Sequence, residues 1–297
     1  MNKILVSVCM ITYGHEEFIV KAIEGMLIQK CSFDIEIIIS DDCSPDKTQA
    51  IVDDFLNKHP KSGLVNYSRN SFNKGLMGNF ISALYKCKGK YIALCEGDDF
   101  WIDSLKLQKQ VDFMESNSNY SLCFHNADFK FEGTSKKNEP MNQTPYIGNK
   151  VFKIDDIIQN TNFHFPTATI LFRKDFLQLP DWYKFIQQGD KALQLLLSTK
   201  GPFYYMDEIM SVYRKHPTSV GATTRNSITK MRQIQMYSYF NSHTNFEYND
   251  LIQAKCQLFM NGIKQSLLEE NIIGLKQLIG HYYLRLVKPL LIRFSLN

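Results

Sequence analysis

The 297-residue sequence contains no run of about 20 apolar residues, the length a helix needs to cross a bilayer. Its opening Ile4-Leu5-Val6-Ser7-Val8-Cys9-Met10-Ile11 is too short for that and gives way to polar residues, so it reads as a buried strand and not as a signal peptide. No Cys-x-x-Cys pair occurs among the seven cysteines, an odd and scattered set that argues against a structural zinc site and for core thiols in a reducing compartment. No Walker phosphate loop is present. The turn after the first strand holds only Gly14, which lacks the glycine-rich approach to a pyrophosphate that a dinucleotide-binding Rossmann turn requires. The charge excess is small, 34 basic against 30 acidic residues, and no long basic run points to a nucleic-acid partner.

What is present is a substantial apolar content, 44%, enough to bury a large core. Apolar runs alternate with helical patterns: strands over 4–12, 35–40, 64–68 and 91–96, helices over 16–29, 46–58, 76–87 and 104–116. This rhythm predicts an α/β fold with a mostly parallel central sheet flanked by helices. Ligands bind such sheets at the carboxyl ends of the strands. The polar clusters fall there: Thr12-Tyr13-Gly14-His15-Glu16, Ser40-Asp41-Asp42-Cys43-Ser44 and Gly97-Asp98-Asp99.

The last cluster ends the apolar run Tyr91–Cys95, and two adjacent anions at the end of a buried strand need compensation. One reading is a Mg²⁺ or Mn²⁺ site, in which one or two carboxylates hold the ion and substrate phosphates and water complete it. The other is a polar turn whose Asp99, Asp103 or Ser104 caps the next helix.

The ordered set Val6–Glu16, Ile37–Asp46 and Glu96-Gly97-Asp98-Asp99-Phe100-Trp101 resembles the family 2 glycosyltransferases of the GT-A fold, over about residues 4–220. The resemblance implies inverting transfer of a sugar from a nucleotide diphosphate to an acceptor hydroxyl, with Mg²⁺ or Mn²⁺. It also implies a catalytic domain over 1–221, with a nucleotide-sugar half near 1–129 and an acceptor half near 150–221; beyond it the family motifs stop, and Ile228, Met231, Ile234 and Tyr237, spaced by threes, read as a helical extension over 222–297.

By position, Thr12, Tyr13 and Glu16 line the nucleotide pocket, and Asp41 or Asp42 hydrogen-bonds the base. A carboxylate accepts the imide N–H of uracil or thymine, which cytosine lacks, so the resemblance points to a UDP-sugar or its thymidine counterpart. Asp46 can cap the helix after Pro45 in place of that pair. The resemblance gives the ribose to Asp98 and the metal to Asp99. It gives the general base to Asp190 in Gln188-Gly189-Asp190, against the alternative of a helix cap. Asp181 and Asp207 lack that context, and Glu208 is close enough in sequence to serve as a control. In Tyr213-Arg214-Lys215-His216, Arg214 and His216 alternate on an extended chain and suit a diphosphate, and His216 can complete the metal shell. Pro217–Gly221 can close over the donor. The segment His164–Arg173 resembles the family's acceptor-side strand, with Thr167 lining the acceptor site.

Residues 132–150 read as an exposed loop. The stretch 275–294 mixes aliphatic, aromatic and basic residues without an acid, which suits an anionic membrane surface. Its alternatives are a helix docked on the catalytic domain or on the partner in a homodimer. The resulting expectation is a cytoplasmic enzyme, peripheral on the cytoplasmic face of the membrane, that builds surface polysaccharide of capsule or O-antigen type on a saccharide or lipid-linked acceptor. The competing readings are a nucleotidyltransferase, whose glycine- and lysine-rich signature is absent, and a catalytically silent sugar-nucleotide-binding module.

Overall fold

A computed structural model describes residues 3–142, 148–159, 165–217, 219 and 226–269. The first half runs β1 (Val6–Thr12), α1 (Ile19–Leu27), β2 (Ile35–Asp41), α2 (Thr48–Lys58), β3 (Val65–Arg69), α3 (Gly75–Lys86) and β4 (Tyr91–Leu94). It continues through β5 (Phe100–Trp101), α4 (Lys106–Ser116) and β6 (Leu122–Phe131). The second half adds β7 (Glu139–Pro140), β8 (Lys150–Phe152), α5 (Ile154–Gln159), β9 (Leu171–Arg173), α6 (Gly189–Ser198) and β10 (Phe203–Lys215). Two further helices, α7 (Asn226–His243) and α8 (Asn249–Glu269), complete the described chain.

The strands join one sheet in the order β3-β2-β1-β4-β9-β6-β10-β5, with β7 on β6 and β8 on β10. β3, β2, β1 and β4 are mutually parallel, as the βα rhythm requires. β9 then runs antiparallel to both β4 and β6, and β10 is parallel to β6 but antiparallel to β5 and β8. The sheet is therefore parallel in its first half and mixed in its second.

Strand alternation builds a core on each face. Val6, Val8 and Met10 of β1, Ile37 and Ile39 of β2, and Tyr91 and Ala93 of β4 face one side with Ile23, Met26 and Leu107. Cys9, Ile11, Ile38, Ile92 and Leu94 face the other with Phe80, Leu84, Leu193 and Leu196. Met236, Tyr237, Phe240 and Ile252 of the last two helices belong to this second core, and Tyr239 stacks on Trp182. Helices after residue 222 thus extend the core of the sheet.

Several sequence expectations change in detail. Thr167 lies in a tight 3₁₀ turn, Thr167–Thr169, and only Leu171–Arg173 of that segment is strand. The turn forms because Thr169 donates both its backbone N–H and its hydroxyl to the Pro166 carbonyl. The segment 132–150 carries β7 and the first residue of β8. His164, Thr218, Val220, Gly221 and the stretch 275–294 lie outside the described residues, so the acceptor segment's first residue, most of the closing loop and the membrane segment do too.

Two packing features carry testable consequences. A Cβ on Gly25 would lie 2.7 Å from the Trp101 carbonyl oxygen and 2.8 Å from its backbone nitrogen, so α1 seats against β5 only through glycine. Gly25→Ala is expected to destabilise the protein by about 1–3 kcal/mol, read as a lower urea midpoint. Beneath the same tryptophan, Lys106 is 0% exposed, donates to Gln110 Oε1 at 2.6 Å and lies 4.0 Å from the Trp101 ring centroid. Burial pushes its ammonium down to about 7. Between pH 7 and the ordinary lysine value the unfolded chain holds a proton that the folded chain lacks, so this group adds stability as pH rises and nothing below that window. Lys106→Met is expected to remove up to about 1.4 kcal/mol per pH unit from that slope, measured as the difference in unfolding free energy between pH 7.5 and 9.

Candidate active site

The parallel strands deliver their carboxyl ends to one edge. Thr12 ends β1 in register with Asp41 at the end of β2, and the turn after β4 brings Glu96, Gly97, Asp98 and Asp99 beside them. Gly97 has a steric reason to be glycine, because a Cβ there would meet Thr12 Oγ1 at 2.5 Å and His15 Nδ1 at 2.8 Å.

The first and second loops are stitched together. Gly14 N–H donates to Ser44 Oγ, His15 N–H to Thr48 Oγ1 and Glu16 N–H to Asp46 Oδ2, while Glu16 Oε2 accepts from Lys47 N–H. Glu16 is therefore engaged in holding the two loops, whereas Tyr13 is 48% exposed at the rim. Asp46 also accepts from the Thr48 backbone and hydroxyl, so it supplies the polar start of α2 that Asp41 or Asp42 would otherwise have to provide.

The adjacent carboxylates of this loop separate in role. Asp41 is fully buried and uses both oxygens internally, accepting from Ser44 N–H at 2.8 Å and Tyr67 Oη at 2.6 Å. Asp42 uses Oδ1 alone, for Asn70 Nδ2 at 3.0 Å and Lys74 N–H at 2.8 Å. Among the described residues its Oδ2 has no hydrogen-bond partner.

Asp98 and Asp99 separate in the same way. Asp99 is 1% exposed, and its Oδ1 accepts the Arg214 backbone N–H at 2.9 Å while Oδ2 is buried without a partner among the described residues. Burial, with the charges of Asp98 and Glu96, pushes its carboxyl well above the ordinary range. Asp98 keeps 18% of its side chain exposed and lies 3.1 Å from His216 Nε2 and 3.9 Å from His15 Nε2. Burial pushes Asp98 upward, but the His216 hydrogen bond and the nearby His15 outweigh it and hold the carboxyl below its ordinary value. Burial also lowers His15, against the opposing charge of Asp98.

Arg214 turns inward. Its guanidinium pairs with Glu132 at 2.9 Å, donates to the Asp98 carbonyl at 2.6 Å and packs between the Phe100 and Phe18 rings. Arg214 and His216 do reach the same turn, as their alternation implies, but the arginine grips its backbone and the histidine meets its carboxylate.

Asp190 stands in the first turn of α6, whose cap position is Gln188 with no side-chain hydrogen bond. No hydrogen bond or ion pair of Asp190 is found among the described residues. Its charge acts on Glu96, which burial, Asp98 and Asp190 together push up to about 8. Of the other acids, Asp207 accepts from Gly148 N–H and Tyr205 Oη, Glu208 pairs with Lys109, and Asp181 is exposed. Thr167 is buried.

Among the described residues no group of three or more His, Cys, Asp or Glu side chains is arranged to hold a metal ion. The pair Asp98 and His216 nevertheless fits a hard divalent ion. The donor atoms are Asp98 Oδ2 and His216 Nε2, which hydrogen-bond each other at 3.1 Å, and the next residue of the turn adds Asp99 Oδ2, buried without a partner among the described residues. Sequence reasoning missed His15 and Glu132; the first was visible within the Thr12–Glu16 cluster, whereas nothing local marks the second.

Comparison with known proteins agrees with this architecture. Residues 7–179 match the profile described as Glycosyl transferase family 2. An uncharacterized protein of Mycobacterium tuberculosis is 30% identical over 218 residues, covering 71% of this chain and 58% of that protein. The chain therefore spans little more than half the length of that relative. The Escherichia coli UDP-Glc:alpha-D-GlcNAc-diphosphoundecaprenol beta-1,3-glucosyltransferase WfaP is 28% identical over 234 residues, covering 77% of this chain and 85% of WfaP. Among solved structures, S. aureus TarS 1-349 in complex with UDP superposes with a TM-score of 0.58 at 16% identity, over 80% of this chain and 65% of that one, a likeness of fold. Among the described residues no helix is long and apolar enough to cross a membrane.

Proposed function

The chain belongs to glycosyl transferase family 2, and from that membership we propose that it moves a sugar from a nucleotide diphosphate to an acceptor hydroxyl with inversion at the anomeric carbon. The observation that carries this reading is the approach of His216 to Asp98, 3.1 Å across 118 residues of sequence, with the Asp190 carboxylate, which has no partner among the described residues, near enough for its charge to act on Glu96 of the same turn.

In this reading the free Oδ2 of Asp42 accepts the imide N–H of uracil or thymine, and Tyr13 covers the base from the rim. UDP is the preferred nucleotide, in keeping with the donor in the name of WfaP. Asp98 and His216 are the side chains that would hold Mg²⁺ or Mn²⁺. The sequence resemblance gave that role to Asp99; its Oδ1 accepts the Arg214 backbone N–H and its Oδ2 is buried without a partner among the described residues, so Asp98, the more exposed of the two, is taken as the first ligand and Asp99 Oδ2 stays available as the alternative. A bound divalent ion supplies charge that offsets the negative charge growing on the leaving diphosphate. Arg214 holds the Asp98 backbone rather than the diphosphate itself.

Asp190 takes the proton of the acceptor hydroxyl as its oxygen forms the new bond to the anomeric carbon. The bond from that carbon to the diphosphate breaks on the opposite face, and the nucleotide diphosphate leaves with the electron pair. The acceptor is a saccharide, lipid-linked as in the name of WfaP, in the assembly of a surface polysaccharide at the cytoplasmic face of the membrane.

Calorimetry with UDP, dTDP, GDP and CMP, each with Mn²⁺ and with EDTA, tests the donor site. Metal-dependent binding of UDP or dTDP and weak binding of CMP are expected. Absence of binding by every nucleotide under both conditions would remove the reading.

A further inference from the structure

We propose that His15 is a third side chain of the diphosphate site, donating its Nε2–H to an oxygen of the donor's diphosphate. The proposal rests on the glycosyltransferase reading and adds a residue which that reading does not use.

The position of the ring is heavily determined. The backbone N–H of His15 is fixed on Thr48 Oγ1, and its carbonyl accepts the N–H groups of Phe18 and Ile19 at the start of α1. Nδ1 lies 3.1 Å from the hydroxyl of Thr12, itself 2% exposed, and both side chains occupy the space that the missing Cβ of Gly97 leaves open. The Thr12 hydroxyl can donate to Nδ1, and in that tautomer the neutral ring carries its proton on Nε2.

That nitrogen looks toward Asp98. The separation of 3.9 Å from Asp98 Oδ2 is too long for a hydrogen bond, so the two groups do not satisfy each other directly. The His216 ring, 6.5 Å away between centroids and nearly perpendicular at 88°, closes the other side. A donor, a carboxylate and a second imidazole thus meet at one place. A diphosphate oxygen attracted by the divalent ion that Asp98 and His216 would hold comes within reach of the His15 N–H. The base side of the pocket, at Asp42, is served by other residues, so His15 discriminates the phosphates rather than the nucleoside.

The test uses His15→Ala, His15→Asn and His15→Gln in the full chain. UDP binding is measured by calorimetry with Mg²⁺, and uridine binding by saturation-transfer NMR. A glutamine amide reaches the position of Nε2 and an asparagine amide does not. His15→Ala and His15→Asn are expected to weaken UDP about tenfold, a scale set by hydrogen bonds to charged groups. His15→Gln should recover most of that loss, and uridine should change by less than about twofold in all three. Equal loss for UDP and uridine, equal loss in Gln and Asn variants, or UDP binding unchanged in all would each overturn the proposal while leaving the donor site intact. Failure of the unsubstituted protein to bind UDP would instead strike the parent reading and take this one with it.

Discussion

Asp190→Asn is expected to lower kcat for sugar transfer by about 10²- to 10⁴-fold, the usual worth of a positioned general base. UDP affinity should stay within about twofold, because no donor-binding group touches this side chain in the account. Stability should change by less than about 1 kcal/mol, since the carboxylate caps nothing and makes no hydrogen bond among the described residues. Asparagine keeps the size and polarity of the side chain and loses only its ability to accept a proton. Steady-state kinetics, calorimetry and thermal melts on one preparation separate these effects. A fall in kcat accompanied by an equal fall in UDP affinity would mean that Asp190 serves binding, and unchanged kcat would place the base elsewhere.

Asp98→Asn is expected to weaken Mn²⁺-dependent UDP binding by more than about tenfold and to reduce turnover by about 10²- to 10³-fold, in line with a charge-offset role worth several kcal/mol. Asp99→Asn supplies the contrast. The amide oxygen can still accept the Arg214 backbone N–H that now ends on Oδ1, so UDP affinity should remain within about threefold of the unsubstituted protein. The opposite ranking, with Asp99→Asn the more damaging to metal-dependent binding, would return the ion to Asp99 as the sequence resemblance has it.

The contrast between these neighbours also marks how far the sequence could be read. Apolar runs bounded by polar clusters placed β1 to β4 and their helices within a few residues, because both sheet faces are covered and each strand advertises two cores. The second half was less legible. β9 contributes only three residues and β5 two, and such short strands carry no measurable period.

At the site, the types of residue were legible and their directions were not. Which of two adjacent carboxylates faces the ligand depends on partners far away in sequence. Asp99 is claimed by Arg214, 115 residues distant, and Asp41 by Tyr67, 26 residues distant. Nothing local to Arg214 reveals Glu132, Phe18 and Phe100 around its guanidinium. His15 lay in plain view within the first loop. Its meaning needed Gly97, whose missing side chain lets the ring approach Asp98.

The most direct test of the account is proton NMR of slow donor hydrolysis, in which water replaces the acceptor. Each α-linked UDP-sugar that binds in calorimetry would be incubated with Mn²⁺ and the full chain, and the first sugar released would be assigned to an anomer before mutarotation mixes the two. The account predicts the β anomer first, with its release lost in Asp190→Asn. Release of the α anomer first, or release that survives Asp190→Asn, would contradict an inverting transfer driven by that carboxylate.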